Sequence, residues 1–339
     1  MSAYPAIADH GMVGDLQTAA LVSSDGTIDW WCTPRFDSPS VFASLLDSER
    51  GGYCRLAAHL PGGQEPVVRQ LYLSDTAVLV TRFMAPGGVG EVADFMTPLT
   101  TGTPTERHQL VRVVRVVRGS MDFRLTCRPR FDYGRASHTL ERTGDTAAVF
   151  HGPGTDLHLQ VTGPFVLHPD DDDLTARCTL TAGQTAAVVL TSDASGAAAP
   201  AELVPEDIRA ELEACRTFWH GWLRSSTYRG RWRDIVNRSA ITLKLLTYAP
   251  TGARSRRRLA PSAASTRSSA RSSACWRTRG RATLCTSPRC PASYAAPGTS
   301  SMCSTSCTRT VSPCASTTAR SPRWTSPPAT RAPENYCPP

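Results

Sequence analysis

The 339-residue chain contains a single lysine, Lys244, against 36 arginines, and no histidine follows His220. It has twelve cysteines but no C-x-x-C pair, so neither a zinc knuckle nor a redox dithiol motif is present. No apolar run approaches the eighteen residues of a membrane-spanning helix. The first residues, MSAYPAIADHG, lack the basic start and apolar core of a secretion signal. These absences point to a cytoplasmic protein without a membrane partner, and no metal or cofactor ligands are assigned. Five cysteines (Cys32, Cys54, Cys127, Cys178 and Cys215) stand singly among apolar neighbours, as buried thiols in a reducing compartment do.

What is present is unevenly distributed. Residues 1–253 carry 23 basic and 28 acidic side chains, whereas residues 254–339 carry 14 arginines against Glu334 alone. The overall charge of +8 therefore describes neither part. Residues 254–339 contain no Ile, Phe, Asp, Lys, Gln or His, only one Val and two Leu, and 17 Ser. Such a segment offers too little apolar surface to offset the entropy of ordering, and disorder is expected there. Its arginines invite an electrostatic nucleic-acid reading, but only Trp276, Tyr294, Trp324 and Tyr336 accompany them, without regular aromatic interleaving for base stacking.

The acidic body reads as mainly β. Residues 19–32 have the pattern of a hairpin, with Asp25-Gly26 supplying the positive φ of a tight turn. Ser38 or Ser40 is placed to cap a short helix carrying Val41, Phe42, Leu45 and Leu46. Met121 to Arg128 alternates apolar and polar residues, the signature of a half-buried strand. Similar runs at 70–72, 77–84, 89–96, 147–150, 157–162 and 186–190 end at Gly or Pro punctuation, which predicts antiparallel sheets packed as a sandwich. Val111 to Arg118 carries an arginine at every third position, yet its valines favour strand.

At Val204 the period changes. Ile208, Leu212, Cys215, Trp219 and Trp222 mark one face of an amphipathic helix, opened by Pro205, Glu206 and Asp207. A second helix is predicted over 232–247, with Ile235, Val236, Leu243 and Leu246 turned inward. The predicted organisation is a β-sandwich domain over 1–200, two helices over 201–253, and a disordered tail over 254–339.

Several segments together resemble one family. They are Ile7-Ala8-Asp9-His10-Gly11, Gly14-Asp15, Asp25-Gly26-Thr27-Ile28-Asp29-Trp30 and Pro34-Arg35-Phe36-Asp37-Ser38-Pro39-Ser40. Pro129 to Gly134, Val236 to Ala240 and Thr247 to Ala253 extend the likeness in order. The chain resembles bacterial glycoside hydrolase family 15, the glucoamylase and trehalase-like proteins of actinobacteria. The resemblance implies an N-terminal β-sandwich, a linker helix and an (α/α)6 barrel that hydrolyses α-glucosidic bonds with inversion. Two glutamates serve as acid and base there, and inversion needs them about 6.5–9.5 Å apart to admit water. It implies an α-glucoside, trehalose or a short α-glucan, as the substrate of full-length relatives.

Beyond Ala253 the family pattern stops, and neither catalytic glutamate is assigned to any position of this sequence. A shifted reading frame near codon 253 in a GC-rich gene accounts for an Arg/Ser/Ala/Pro/Thr/Cys composition, and an inactive chain is expected. The alternative function is a non-catalytic carbohydrate-binding or scaffolding module formed by the sandwich.

Three residues are substrate-rim candidates: Asp29, Arg35 and Asp37. The competing reading for Asp15, Asp29 and Asp37 is structural, as carboxylates that satisfy nearby backbone N–H groups. Asp170 to Asp173 reads as a solvated loop, and Trp30, Trp31, Trp219, Trp222 and Trp232 as core packing. Uncovered by a barrel, Trp219, Trp222, Leu243 and Leu246 are expected to form an exposed apolar face.

Overall fold

The computed structural model describes residues 4–99 and 102–251. The disorder expected for residues 254–339 lies outside the described residues. The first sheet opens with β1 (His10–Gly14), β2 (Ala19–Ser23), β3 (Thr27–Cys32), β4 (Ser40–Phe42) and β5 (Tyr53–His59). Then come β6 (Val67–Tyr72), β7 (Leu79–Ala85), β8 (Gly88–Phe95) and the 21-residue β9 (His108–Arg128). A helical turn α1 (Phe131–Gly134) leads to β10 (Thr139–Arg142), β11 (Ala147–His151) and β12 (Thr155–Thr162). Strands β13 (Val166–Asp170), β14 (Asp173–Thr181) and β15 (Thr185–Ala194) precede the helices α2 (Pro205–Leu223) and α3 (Arg233–Leu245).

Every recorded pairing is antiparallel, and β9 belongs to both sheets. Its first half pairs with β8 and β15, and its second half with β5 and β14. The change of sheet occurs at Gly119, where φ is +73° and a Cβ would overlap the Gly87 carbonyl. Long strands turn sandwich corners at such bends. One core then fills the space between the sheets. Ile28, Trp31 and Leu56 come from one side, and Phe83, Leu110, Phe150 and Leu159 from the other. Each such side chain contributes about 1.5–3 kcal/mol by leaving water.

An ion pair is embedded in this packing. Arg112 is fully buried and donates to both oxygens of buried Asp94, at 2.7 and 3.3 Å. Its remaining N–H groups donate to the carbonyls of Cys54 and Gly26, at 2.9 and 2.7 Å. The guanidinium on β9 therefore ties the β2–β3 turn and β5 to the facing sheet. The arginine periodicity of 112–118 reflects three environments on a strand, with Arg112 inside, Arg115 on Glu91 and Arg118 exposed.

The helices pack on the outer face of the second sheet. Ile208, Cys215 and Trp219 of α2 and Ile241 and Leu245 of α3 cover Phe95, Val111, Ala187 and Val189. This cluster corrects the expected inward face of the second helix: Ile235, Leu243 and Leu246 are exposed and Val236 is half-buried. The period was right but its phase was not, because Asn237 takes an inward position by donating to Asp75 at 2.8 Å. Trp219 is fully buried, so the exposed apolar stripe consists of Trp232, Ile235, Leu243 and Leu246 instead.

Two further expectations fail locally. Residues 40–42 form β4 rather than a helix, since Phe42 stacks on Trp31 across the β3 pairing. Asp173 is not a solvated loop residue. It starts β14, is buried, and accepts from Arg128 and Arg130 at 2.6–3.0 Å.

Candidate functional site

The β2–β3 hairpin builds one wall of a hollow of about 330 Å³. Asp25 sits at the hairpin tip, where its carboxylate accepts from the Thr27 N–H at 3.1 Å and the Ser23 hydroxyl at 2.5 Å. Arg55 on β5 faces its other oxygen at 3.3 Å. Burial alone would raise the Asp25 pKa, but these hydrogen bonds and the Arg55 charge bring it below the ordinary value. Asp25 therefore shapes the turn through Oδ1, while Oδ2 keeps only the Arg55 contact and stays half exposed.

Asp29 is different. It occupies an interior position of β3 and is 4% exposed. Its Oδ2 lies 2.6 Å from Nε2 of His10 on β1, while His10 Nδ1 donates to the Ala6 carbonyl at 2.9 Å. Because that carbonyl only accepts, one proton is left between Nε2 and Oδ2. Oδ1 has no hydrogen-bond partner among the described residues. Burial raises the Asp29 pKa, and the hydrogen bond and charge of His10 only partly counter it.

Arg35 and Asp37 stand apart from this hollow. They pair with each other in the loop after β3, in two hydrogen bonds of 2.8 and 3.1 Å, both side chains exposed. The guanidinium lies 4.8 Å from the Tyr248 ring centroid, and Phe36 meets the same ring edge-on at 6.5 Å. The loop therefore packs against the segment that follows α3, near the last described residues. The three sequence candidates form two separate places: Asp29 in the hollow, and Arg35 with Asp37 at the end of the described chain.

Asp15 serves the fold. Its Oδ1 accepts from the backbone N–H of Gln17 and Thr18 at 2.9 Å each, and its Oδ2 faces His108 Nδ1 at 2.6 Å.

Other polar side chains of the hollow were not singled out in the sequence. Tyr4, Ser44, Ser48 and Tyr53 reach it from segments that no periodic pattern links to Asp29. His10 lay within a recognised motif, but nothing in its spacing names Asp29 as its partner. Among the described residues, no group of three His, Cys, Asp or Glu side chains is arranged to hold a metal ion.

The family model described as "Trehalase-like, N-terminal" matches residues 2–216. The chain belongs to this trehalase-like N-terminal family. Its trehalase-like body is 33% identical to a trehalase of Mycolicibacterium smegmatis, over 74% of this chain and 39% of that protein. A trehalase of Mycobacterium tuberculosis is 30% identical over 74% of this chain and 38% of its own length. A third, from Thermoplasma volcanium, is also 30% identical, over 74% of this chain and 39% of its own length. The chain thus matches less than two-fifths of the length of these relatives.

Proposed function

We propose that residues 4–251 are the N-terminal part of a glycoside hydrolase family 15 protein acting on trehalose or a short α-glucan. In this reading 1–200 form the sandwich domain, and 201–253 hold the linker helix and the first helix of an (α/α)6 barrel. The observations that support it are the extent of the likeness and the composition of the chain. In three relatives the likeness covers 74% of the chain. The composition changes from acidic to arginine-rich after residue 253.

Residues 254–339 are then the product of a shifted reading frame, and the chain carries no inverting pair of glutamates. Buried acidic side chains of the body support this, since Asp15, Asp94, Glu91 and Asp173 are each engaged by a histidine or arginine. None of these is a free acid and base facing each other across space for a water, as inversion demands. Arg35, paired with Asp37 and 4.8 Å from the Tyr248 ring, lies beside the last described residues, where this reading has the catalytic domain begin. The two are the candidates for the rim that the sandwich offers to a catalytic domain.

A cytoplasmic location belongs to the same reading. It is supported by five cysteines of the body that are buried and free. No helix among the described residues is long and apolar enough to cross a membrane.

The test is glucose release from trehalose and maltotriose by the purified 339-residue chain. No release above a boiled control is expected. Turnover that persists through purification would refute the reading.

A further inference from the structure

Two of the buried cysteines face each other. Cys54 on β5 and Cys127 on β9 are direct partners in the antiparallel register. Side chains so opposed lie on one face of the sheet, and both thiols are fully buried in the core between the sheets. The Cα atoms of such a pair stand about 4.5–5.5 Å apart, within the roughly 4.4–6.8 Å that a disulfide spans. The two thiols are hydrogen-bonded to each other. The other cysteines of the described residues have no such neighbour. Cys178 stands opposite Phe123, Cys32 opposite Ser40, and Cys215 of α2 against the Met96 carbonyl.

The pair is also asymmetric. Asp94 engages Nε and Nη2 of Arg112, whereas Nη1 is turned to Cys54, 2.9 Å from its carbonyl and 3.9 Å from its Sγ. The hydrogen bond from Cys127 and the Arg112 charge hold the Cys54 thiol below its ordinary pKa against the effect of burial. Burial holds Cys127 well above its own. A thiolate is the reactive form of cysteine, and a neighbouring arginine favours it at Cys54. Cys178 and Cys215, by contrast, are pushed up to about 12 by burial and are inert.

Access to the pair requires local opening, and the pairing pattern shows where. Strand β5 pairs with β9 along its whole length, but with β3 only at Thr27–Arg55 and Ile28–Cys54. Opening of that short contact admits a small oxidant beside Cys54 while the strand stays registered on Cys127.

We propose that Cys54 and Cys127 are an oxidisable dithiol that hydrogen peroxide converts into a cross-strand disulfide, with Cys54 attacked first and Cys127 resolving. In the first step the Cys54 sulfur bonds to a peroxide oxygen and the O–O bond breaks. The departing hydroxide takes the Cys54 proton as water, and a sulfenic acid remains. In the second step the Cys127 sulfur attacks the Cys54 sulfur, the S–S bond forms and the S–O bond breaks. The hydroxyl leaves with the Cys127 proton as a second water. Two electrons pass from the sulfur pair to the peroxide, and a thiol reductant reverses the link by exchange. In a reducing compartment the thiols are the resting state, and the disulfide forms only under oxidant. The pair lies within residues 54–127, so its chemistry stands apart from the hydrolase reading and from what residues 254–339 encode.

The experiment treats the reduced, intact 339-residue chain with hydrogen peroxide, alkylates the remaining thiols in acid, and maps the peptides by mass spectrometry without reduction. A peptide pair joined through Cys54 and Cys127 is expected, released by dithiothreitol, with Cys178 and Cys215 unoxidised. The link should form severalfold faster in urea below the unfolding transition, where the opening is more populated. Because a disulfide restricts the unfolded chain, the oxidised protein should unfold at higher urea than the reduced one. Cys127→Ala should abolish that shift and leave Cys54 as a sulfenic acid that dimedone labels. Labelling of Cys127 in Cys54→Ala, with none of Cys54 in Cys127→Ala, would overturn the assigned order of attack. Absence of the Cys54–Cys127 link with and without mild urea would sink the proposal, as would a link that forms only in the fully unfolded chain. Mapping of the wild-type chain decides this even if neither variant folds.

Discussion

At the scale of single residues, two histidine–aspartate pairs look alike and do different work. His108 and Asp15 are both buried, and every polar atom of the pair other than the shared proton is engaged. Burial opposes a charged His108, but the Asp15 carboxylate and the Thr105 carbonyl outweigh it, leaving the pKa above the ordinary value. A raised histidine pKa contributes stability that is fully present below the unfolded value of about 6.5, and is lost as pH rises through the folded value. Unfolding midpoints in urea should therefore fall as pH is raised from about 6 towards 9. Asp15→Asn should flatten that trend and cost about 3–5 kcal/mol, because it leaves a buried imidazole without its counter-charge. A wild-type midpoint that rises over the same interval would contradict this assignment. The His10–Asp29 pair differs in that Asp29 Oδ1, also buried, has no hydrogen-bond partner among the described residues.

Neither pair was legible in the sequence. Asp15, Asp29, His10 and His108 are visible as residues, but their partners lie 93 and 19 positions apart in the chain. Strand alternation says which face a residue occupies and not what stands opposite. Arg35 and Asp37 were easier to pair, being two residues apart in one loop. What no pattern indicated was Tyr248, which brings that loop to the end of α3.

At the scale of elements, period was read more reliably than phase. The β2–β3 hairpin, the alternating half of β9 and the face of α2 all follow from local spacing, and the structure has them at those positions. Ile235, Leu243 and Leu246 also form a stripe on α3, so hydrophobicity alone points to a face that the structure leaves exposed. The buried stripe contains Asn237, whose hydrogen bond to Asp75 outweighs the preference of a leucine for the interior.

Strand β9 is the element on which the two sheets depend. Its bend at Gly119 requires positive φ, so Gly119→Ala should cost at least about 1–2 kcal/mol in addition to the clash with Gly87. Arg112→Met should cost about 3–5 kcal/mol by leaving Asp94 buried and unpaired. Adding Asp94→Val should recover part of that loss. Recovery stays partial because the Gly26 and Cys54 carbonyls lose their donor. Urea titration of the three variants measures both effects, and a double variant no more stable than the single one would show that Asp94 is not the cause.

At the scale of the whole molecule, the sequence separates two materials. Residues 4–251 form an antiparallel sandwich with two helices laid over one sheet, and they belong to the trehalase-like N-terminal family. The helices leave Trp232, Ile235, Leu243 and Leu246 exposed on one stripe of α3, directly before the charge reverses. Under the proposed reading, a frame change there would link the exposed stripe and the composition of residues 254–339 to a single cause.

The most direct measurement is resequencing of the gene through codon 253, with translation of the following DNA in the two alternative frames. The account predicts that one frame continues with acidic and aromatic residues at helical spacing, including glutamates suited to an inverting pair. Two alternative frames that both lack such a continuation, from DNA confirmed by independent reads, would contradict it.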